Sequence, residues 1–461
     1  MSHPIGRRFP VLLAACLLSL ATSNIGRAQN AASPTADPFA IPATDDGLPG
    51  VGPIRRYDWF QQLWRERRSA WAKERARDDG AVVFLGDSIT QLWGDALPTA
   101  FPGVKIANRG ISGDTTRGVL IRLQDDVLVL KPKAVVLLIG TNDLDEHATP
   151  EIIAGNLKLM LAAMKAHNPQ MPVILCQVFP SSATLNRSAA QIKEVNALYL
   201  AAVKNDPQVI ALDTWTLFAD GSGDAKPSEF PDLLHPNRIG YAKWAAALDP
   251  VFATLRLTET APDPFALEDG FETLFDGRDL TGWGYRPTSE ADKESAKRWQ
   301  AADPNAAAWP VVTERVDFDG KTSSPDGRFE VINGRLVVTT PPEGRKIQQL
   351  WTTREFGDDF ILKLEFRATP NADSGVYVRG PQLQCRDYAL AGPFTNLKMY
   401  KPQDWNELVI TVQNGVARAT CNGEALEGEL KVPASGPIGL EGDRGQMEYR
   451  RIRIKRFVSK M

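Results

Sequence analysis

The chain has 461 residues, 43% apolar and 24% charged, which is ordinary globular composition and long enough for two or three domains with real cores. A formal charge of -3 and a pI near 6.0 give no basic field, which argues against nucleic acid or an anionic membrane surface as a partner.

Residues 1–28 carry Arg7-Arg8, the apolar stretch Phe9 to Leu20 and then Gly26-Arg27-Ala28, the pattern of a secretory signal peptide with a small-residue cleavage site. The mature chain is expected to begin near Gln29 and to be secreted or periplasmic. Leu13-Ala14-Ala15-Cys16 has the form of a lipoprotein box, but the apolar run continues past the cysteine, so lipid anchoring is the weaker reading. No later stretch reaches the roughly 18 uninterrupted apolar residues of a spanning helix, so no membrane span is expected. Residues 29–56, rich in Ala, Pro, Asp and Gly, predict a disordered leader. Tyr57 to Arg77 then sets Trp59, Phe60, Leu63, Trp64 and Trp71 among charges, which predicts an amphipathic helix with its aromatics in the core.

From Ala81 to Leu257, short apolar runs alternate with helical patterns: strands at 81–85, 104–107, 134–139, 173–178 and 209–212, helices near 115–129, 150–167, 188–204 and 238–256. That alternation predicts a parallel sheet with helices on both faces over residues 57–257. Residues 258–269 break the pattern with two prolines and charge, and predict a linker. Beyond it, segments near 329–340, 360–369, 376–379, 405–413, 416–421 and 447–457 alternate apolar with polar. Asn333-Gly334, Asn414-Gly415 and Asn422-Gly423 supply hairpin turns, so residues 270–458 predict an antiparallel sandwich or jelly roll. Residues 284–328 read as a polar excursion from one end of it.

Chemistry-bearing residues gather at predicted strand ends. The first strand ends in Gly86-Asp87-Ser88-Ile89-Thr90, which places a hydroxyl at the carboxyl edge of the sheet, where open α/β sheets bind ligands. The second is followed by Asn108-Arg109-Gly110, whose glycine can present a bare backbone N–H. The third ends in Gly140-Thr141-Asn142-Asp143, and the Asn142 amide has the donors an oxyanion needs. Asp232 and His235 precede the last helix and suit an orienting carboxylate and a general base. His147 and His167 are the other histidines beyond the expected signal peptide, one in an acidic loop and one near a helix end.

These four blocks, in this order, resemble the SGNH hydrolase (GDSL esterase/lipase) superfamily over residues 80–256. The resemblance implies a flavodoxin-like three-layer fold with Ser88 as nucleophile, His235 as base and Asp232 as its partner. It implies an oxyanion hole from the Ser88 and Gly110 N–H groups with Asn142, supported by Asp87 and Asp143. Acyl transfer through an acyl-serine follows, with neither metal nor organic cofactor required.

In the second half, Gly270 to Gly277 with Leu280-Thr281-Gly282-Trp283, then Asp373 to Gly380, Trp405-Asn406, Gly436 to Leu440 and Tyr449 to Lys455 resemble the 3-keto-disaccharide hydrolase family, related to concanavalin-like jelly rolls and associated with carbohydrate processing. Where that family shows Glu-x-Gln followed by Asp, this chain has Gln382-Leu383-Gln384 and then Asp387, and an amide cannot serve as general acid or base. Gln382, Gln384, Asp387 and Arg379 are candidate sugar contacts, Trp283, Tyr377, Tyr388 and Trp405 candidate stacking rings, with core packing favoured for Trp405 by its strand pattern, and Glu365, Asp373, Asp387 and Glu441 the carboxylates on which any acid-base chemistry would rest, most of them expected as solvated surface groups. Cys385 and Cys421 are either a disulfide or two free thiols. The expected function is a secreted serine esterase acting on a small-molecule or polysaccharide ester, with acylated carbohydrate favoured and a C-terminal domain that binds or processes glycan. Two alternatives stay open: a 3-keto-glycoside hydrolase with an accessory esterase, and a lipid esterase of the lysophospholipase or acetylhydrolase type.

Overall fold

Five short apolar runs become a five-stranded parallel sheet because each is bounded by a residue that ends the strand and a helix that covers it. In chain order the elements are α1 (Asp58–Asp78), β1 (Val82–Gly86), α2 (Ser88–Gln91), α3 (Ala96–Ala100), β2 (Ile106–Gly110), α4 (Thr116–Asp126), β3 (Ala134–Leu138), α5 (Thr141–Asp145), α6 (Pro150–His167), β4 (Val173–Cys176), α7 (Ala189–Val203), β5 (Val209–Leu212), α8 (Thr214–Phe218) and α9 (Arg238–Thr254). The computed structural model describes residues 37–204, 206–259, 263–302, 308–339 and 348–457, so the expected signal peptide lies outside the described residues.

The strand order is β2-β1-β3-β4-β5, with every pairing parallel. Both faces of β1 are buried. Val83 and Leu85 point into one core with Val119, Leu157, Ile192 and Val195 from α4, α6 and α7. Val82 and Phe84 point into the other with Trp93, Leu97, Trp244 and Leu248. Alternation across a strand thus feeds two helix layers, which is why these strands read as continuous apolar runs. Helix starts are encoded locally: Thr149 caps α6 ahead of Pro150, and Ser188 forms a capping box with Gln191 on α7.

Residues 37–56 differ from expectation. They form no helix or strand, yet they are tied down as a strap across this domain. Asn156 receives Val51 N–H at 3.1 Å and returns a bond to Val51 O at 2.8 Å, while Thr115 Oγ1 donates to Pro53 O at 2.8 Å. Arg117 bonds the strap through Asp45 at 2.5 Å and Gly52 O at 2.9 Å. Composition alone indicated disorder, because the partners that satisfy this backbone lie about 60 to 105 residues away.

The second half forms two antiparallel sheets. The larger runs in the order Glu424–Ala425, Val416–Cys421, Asn406–Gln413, Asp359–Ala368, Met447–Phe457, Arg335–Val338, Phe329–Ile332. The smaller runs Gln382–Gln384, Gly375–Val378, Ile438–Glu441, Gln349–Thr352, Trp283–Tyr285, Val316–Asp317. One apolar core fills the space between them, a sandwich held by alternate residues of each strand. The three Asn-Gly pairs have positive φ at both residues, from 49° to 52° at Asn and from 73° to 85° at Gly, as hairpin turns of the primed type require. The polar stretch after residue 284 contains a helix the sequence did not announce, α10 (Glu290–Ala302). It buries none of its residues and is laced by Lys293–Glu290 and Lys297–Glu294 pairs, so no apolar stripe marked it. Cys385 and Cys421 are buried free thiols in the sandwich core.

The halves meet at the end of α9. Arg367 pairs with Asp249 at 2.7 Å, and Gln446 Nε2 donates to Pro250 O at 3.0 Å and Thr254 Oγ1 at 2.9 Å.

Candidate active site

The carboxyl edge of the parallel sheet gathers three of the four sequence blocks at β1, β2 and β3. The chain runs from β1 outward to β2 on one side and from β3 outward to β4 on the other, so the crevice between β1 and β3 lies at the switch point where doubly wound sheets bind ligands. Ser88 is the first residue after β1 and Asp87, and is 6% exposed. Its Oγ lies 2.9 Å from His235 Nε2, and His235 Nδ1 lies 2.6 Å from Asp232 Oδ2. The fourth block is therefore brought to Ser88 across 147 residues.

Local turns hold the His235 loop. Asp232 Oδ1 accepts the His235 and Leu234 N–H groups at 2.7 and 3.0 Å, and Leu233 between them has φ of 60°. Ser181 Oγ donates to Leu233 O at 2.9 Å, and Asn237 caps α9 by accepting from Ile239 and Gly240. Although partial desolvation works against it, these N–H groups and the imidazole hold the Asp232 carboxyl below the usual range. Asp232 stays charged beside a ring nitrogen.

Two glycines make the close packing feasible. A Cβ on Gly86 would stand 2.4 Å from Leu138 O, and one on Gly110 would stand 2.4 Å from Gln91 N and 2.7 Å from Asp87 O. The Gly110 N–H, expected to face a ligand, donates to Asn108 Oδ1 at 2.9 Å. Ser88 opens α2, where the first N–H groups have no partner within the helix. Asn142 is buried; its Nδ2 donates to Asp114 O at 2.9 Å, which leaves its second hydrogen, and its Oδ1 accepts from Arg187 Nη2 at 3.3 Å.

Asp87 and Asp143 sit beneath this surface. Asp87 Oδ1 accepts Ile89 N–H at 2.9 Å, its Oδ2 has no hydrogen-bond partner among the described residues, and burial pushes its pKa up to about 6. Asp143 accepts Thr116 N–H at 2.9 Å and Thr116 Oγ1 at 2.5 Å, fixing the start of α4, and burial pushes it up to about 7. Sequence reasoning missed the supports: Arg187 against Asn142, Asp114 against Asn142 and Arg122, and Asn108 against Gly110. His147 and His167 are exposed and stay out of the cluster.

In the sandwich, Gln382 and Gln384 stand together on the outer face of the smaller sheet. Gln382 Nε2 donates to Glu441 Oε2, Tyr377 OH donates to Glu441 Oε1 at 3.0 Å, and Gln349 Nε2 donates to Tyr377 OH at 3.2 Å. Trp351 lies 4.9 Å from the Tyr377 ring. Burial pushes Glu441 up to about 7, so this carboxyl is no solvated surface group. Asp387 and Arg379 do not join it. Asp387 is buried and accepts from Asn371, Tyr400 and Gln403, while Arg379 is buried against Phe360 and donates to the Pro433 and Asp358 carbonyls. Both are structural, because a buried ion or ion-like group must find such partners. Trp283 and Tyr388 are core residues, Trp405 is covered by Arg450 at 4.0 Å, and Tyr377, though it belongs to this face, is itself buried with Trp351 packed against its ring. Glu365 pairs with Arg450 and Arg451, and Asp373 with Arg386 and Arg444.

Comparison with known proteins follows the same division. Residues 84–243 match the GDSL-like lipase/acylhydrolase family, and residues 270–455 match the 3-keto-alpha-glucoside-1,2-lyase-like domain. The chain is 30% identical over 188 residues to the platelet-activating factor acetylhydrolase IB subunit alpha1 of Pongo abelii, covering 40% of this chain and 80% of that protein. It is 27% identical over 231 residues to subunit alpha2 of Homo sapiens, covering 50% and 95%. Among solved structures, a GDSL-like lipase from Bacteroides thetaiotaomicron matches at 27% identity and a TM-score of 0.36, covering 40% of this chain and 96% of that one. The chain belongs to the GDSL-like lipase/acylhydrolase family of ester-hydrolysing enzymes, joined to a C-terminal 3-keto-alpha-glucoside-1,2-lyase-like domain.

Proposed function

We propose that the protein is an exported serine esterase that removes acetyl or other short acyl groups from carbohydrate, with the sandwich holding or processing the glycan. The observation that carries the esterase part is the continuous Ser88, His235, Asp232 relay at 2.9 and 2.6 Å. Ser88 Oγ attacks the ester carbonyl while His235 takes its proton, and Asp232 fixes the imidazole and steadies the imidazolium. The oxyanion is received by the Ser88 N–H and the remaining Asn142 Nδ2 hydrogen. Gly110 N–H is engaged by Asn108 Oδ1, and the Asn108 Nδ2 donates to Thr90 O at 2.8 Å, so the first two donors carry the oxyanion in this arrangement. His235 then protonates the departing alcohol, and water, activated by the same base, releases the acid.

Support for a carbohydrate role comes from the matched C-terminal domain and from the Glu441, Tyr377, Gln382 and Trp351 face, whose amides, hydroxyl and ring suit a polyhydroxylated ligand. Export rests on residues 1–28 and is tested by the N-terminus of the mature protein, expected near Gln29. A second reading, a lipid acetylhydrolase, is favoured by the names of the relatives, which also favour acetyl as the acyl group. The test is acetate release from an acetylated polysaccharide beside an acetylated phospholipid. Turnover of the polysaccharide alone supports the first reading, and turnover of the phospholipid alone replaces it with the second.

A further inference from the structure

The aromatics of α1 divide into two sets. Phe60 and Trp64 are buried, as the helical pattern predicts, but Trp59 is 52% exposed and the preceding Tyr57 is 53% exposed. The two exposed rings stack with centroids 6.3 Å apart and planes 12° from parallel. A stacked aromatic pair open to water on one side is the kind of surface that marks a contact site.

Its location ties it to the esterase site from two sides. A Cβ on Gly113 would stand 2.7 Å from Trp59 Cη2 and 3.1 Å from Arg55 Nη1, so the loop after Gly110 runs directly beneath both side chains. In the same loop Ser112 N–H donates to Gln91 Oε1 at 2.7 Å, on the helix that Ser88 opens. On the other side Arg55 pairs with Asp145 at 2.5 Å and Glu146 at 2.6 Å, at the end of α5. Asp145 also pairs with Arg187, which bonds Asn142 Oδ1. The ring pair therefore stands on the two segments that carry Gly110 and Asn142.

We propose that Tyr57 and Trp59 form a stacking wall for a sugar ring of the substrate, so that residues 55–59, which precede the matched acylhydrolase region, select the alcohol part of the ester. This rests on the reading of Ser88 as nucleophile. A flat ring face beside the partly exposed carboxylates of Asp145 and Glu146, which the mostly buried Arg55 side chain holds in place and one of which accepts from Tyr57 OH at 3.4 Å, suits a pyranose, which has an apolar face to stack and hydroxyls at its edge to meet those carboxylates. An alkyl chain would instead bring no hydrogen bonds to them and would desolvate them.

The experiment compares the full-length wild type with Trp59→Ala and Trp59→Phe on an acetylated xylo-oligosaccharide and on ethyl acetate. Trp59→Ala is expected to raise KM for the oligosaccharide about tenfold, roughly the worth of one aromatic contact, and to lower its preference over ethyl acetate by a similar factor. Trp59→Phe retains most of that preference. In an inactive Ser88→Ala background, binding of the same oligosaccharide weakens to the same degree on adding Trp59→Ala. Acetate release by the wild type with KM and preference unchanged in Trp59→Ala overturns the wall while leaving the esterase reading intact. Equal weakening toward decyl acetate, whose alcohol is an alkyl chain, overturns the sugar assignment. No acetate release from any ester by the wild type removes the esterase reading and the wall with it.

Discussion

The two candidate surfaces each use a carboxyl group, and they treat it in opposite ways. Asp232 is 57% exposed in its side chain and surrounded by N–H donors and an imidazole, which keep it charged. Glu441 is enclosed by Tyr377, Gln382 and the neighbouring Asp443, and burial raises it to about 7, so it carries a proton through part of the neutral range. The first arrangement steadies a cation that forms on a neighbour during acyl transfer. The second provides a carboxyl that switches between donor and acceptor near neutrality.

That contrast can be broken at several points. The largest effect is expected at Ser88→Ala, which should lower kcat for acetyl esters by about 10⁴-fold or more while the melting temperature stays close to wild type. Asp232→Asn should cost about 10³-fold in kcat, because the amide leaves the imidazole without its anionic partner; steady-state rates at constant pH measure it. Asn142→Ala should cost about 10²-fold to 10³-fold, again in kcat rather than KM, if its free Nδ2 hydrogen meets the oxyanion. A smaller effect is expected in the sandwich. Glu441→Gln fixes the neutral state, so glycan retention by the full chain, titrated from pH 5 to 9, should lose any inflection near pH 7 that the wild type shows.

Stability carries a related signature. Asp87 and Asp143 have folded pKa values raised to about 6 and about 7, above the unfolded value of 3.8. Their neutral forms are the ones the fold tolerates, so their contribution is complete below pH about 4 and is lost as pH rises through 6 to 7. Thermal melts across pH 5 to 8 should therefore show the esterase half weakening toward the alkaline side, and Asp143→Asn should flatten that slope.

Much of this arrangement was legible in the sequence where function coincides with strand ends. Gly86 to Thr90 and Gly140 to Asp143 follow continuous apolar runs, and histidine is scarce enough that His235 had few rivals. The bounds of α6 and the three Asn-Gly turns were readable because caps and positive-φ residues are local signals. Arg187, Asp114 and Asn108 were not readable as supports, because the Arg187 and Asp114 contacts to Asn142 bridge 45 and 28 residues, and an asparagine two residues before Gly110 has no distinctive pattern. Glu441 was one of several carboxylates until sheet order set its strand beside Gly375–Val378 and within reach of Gln382. Trp59 carried a signal that went unused: Phe60, Trp64 and Trp71 share one helical face, and Trp59 lies about 100° from Phe60.

The central claim is that Ser88 carries the acyl group during turnover. Peptide mapping of the full-length protein, quenched within the first turnover of an acetyl ester, should find the acetyl group on Ser88 and should find none on that peptide in Ser88→Ala. Hydrolysis that continues at the wild-type rate in Ser88→Ala, or an acetyl group trapped on another residue, would contradict it.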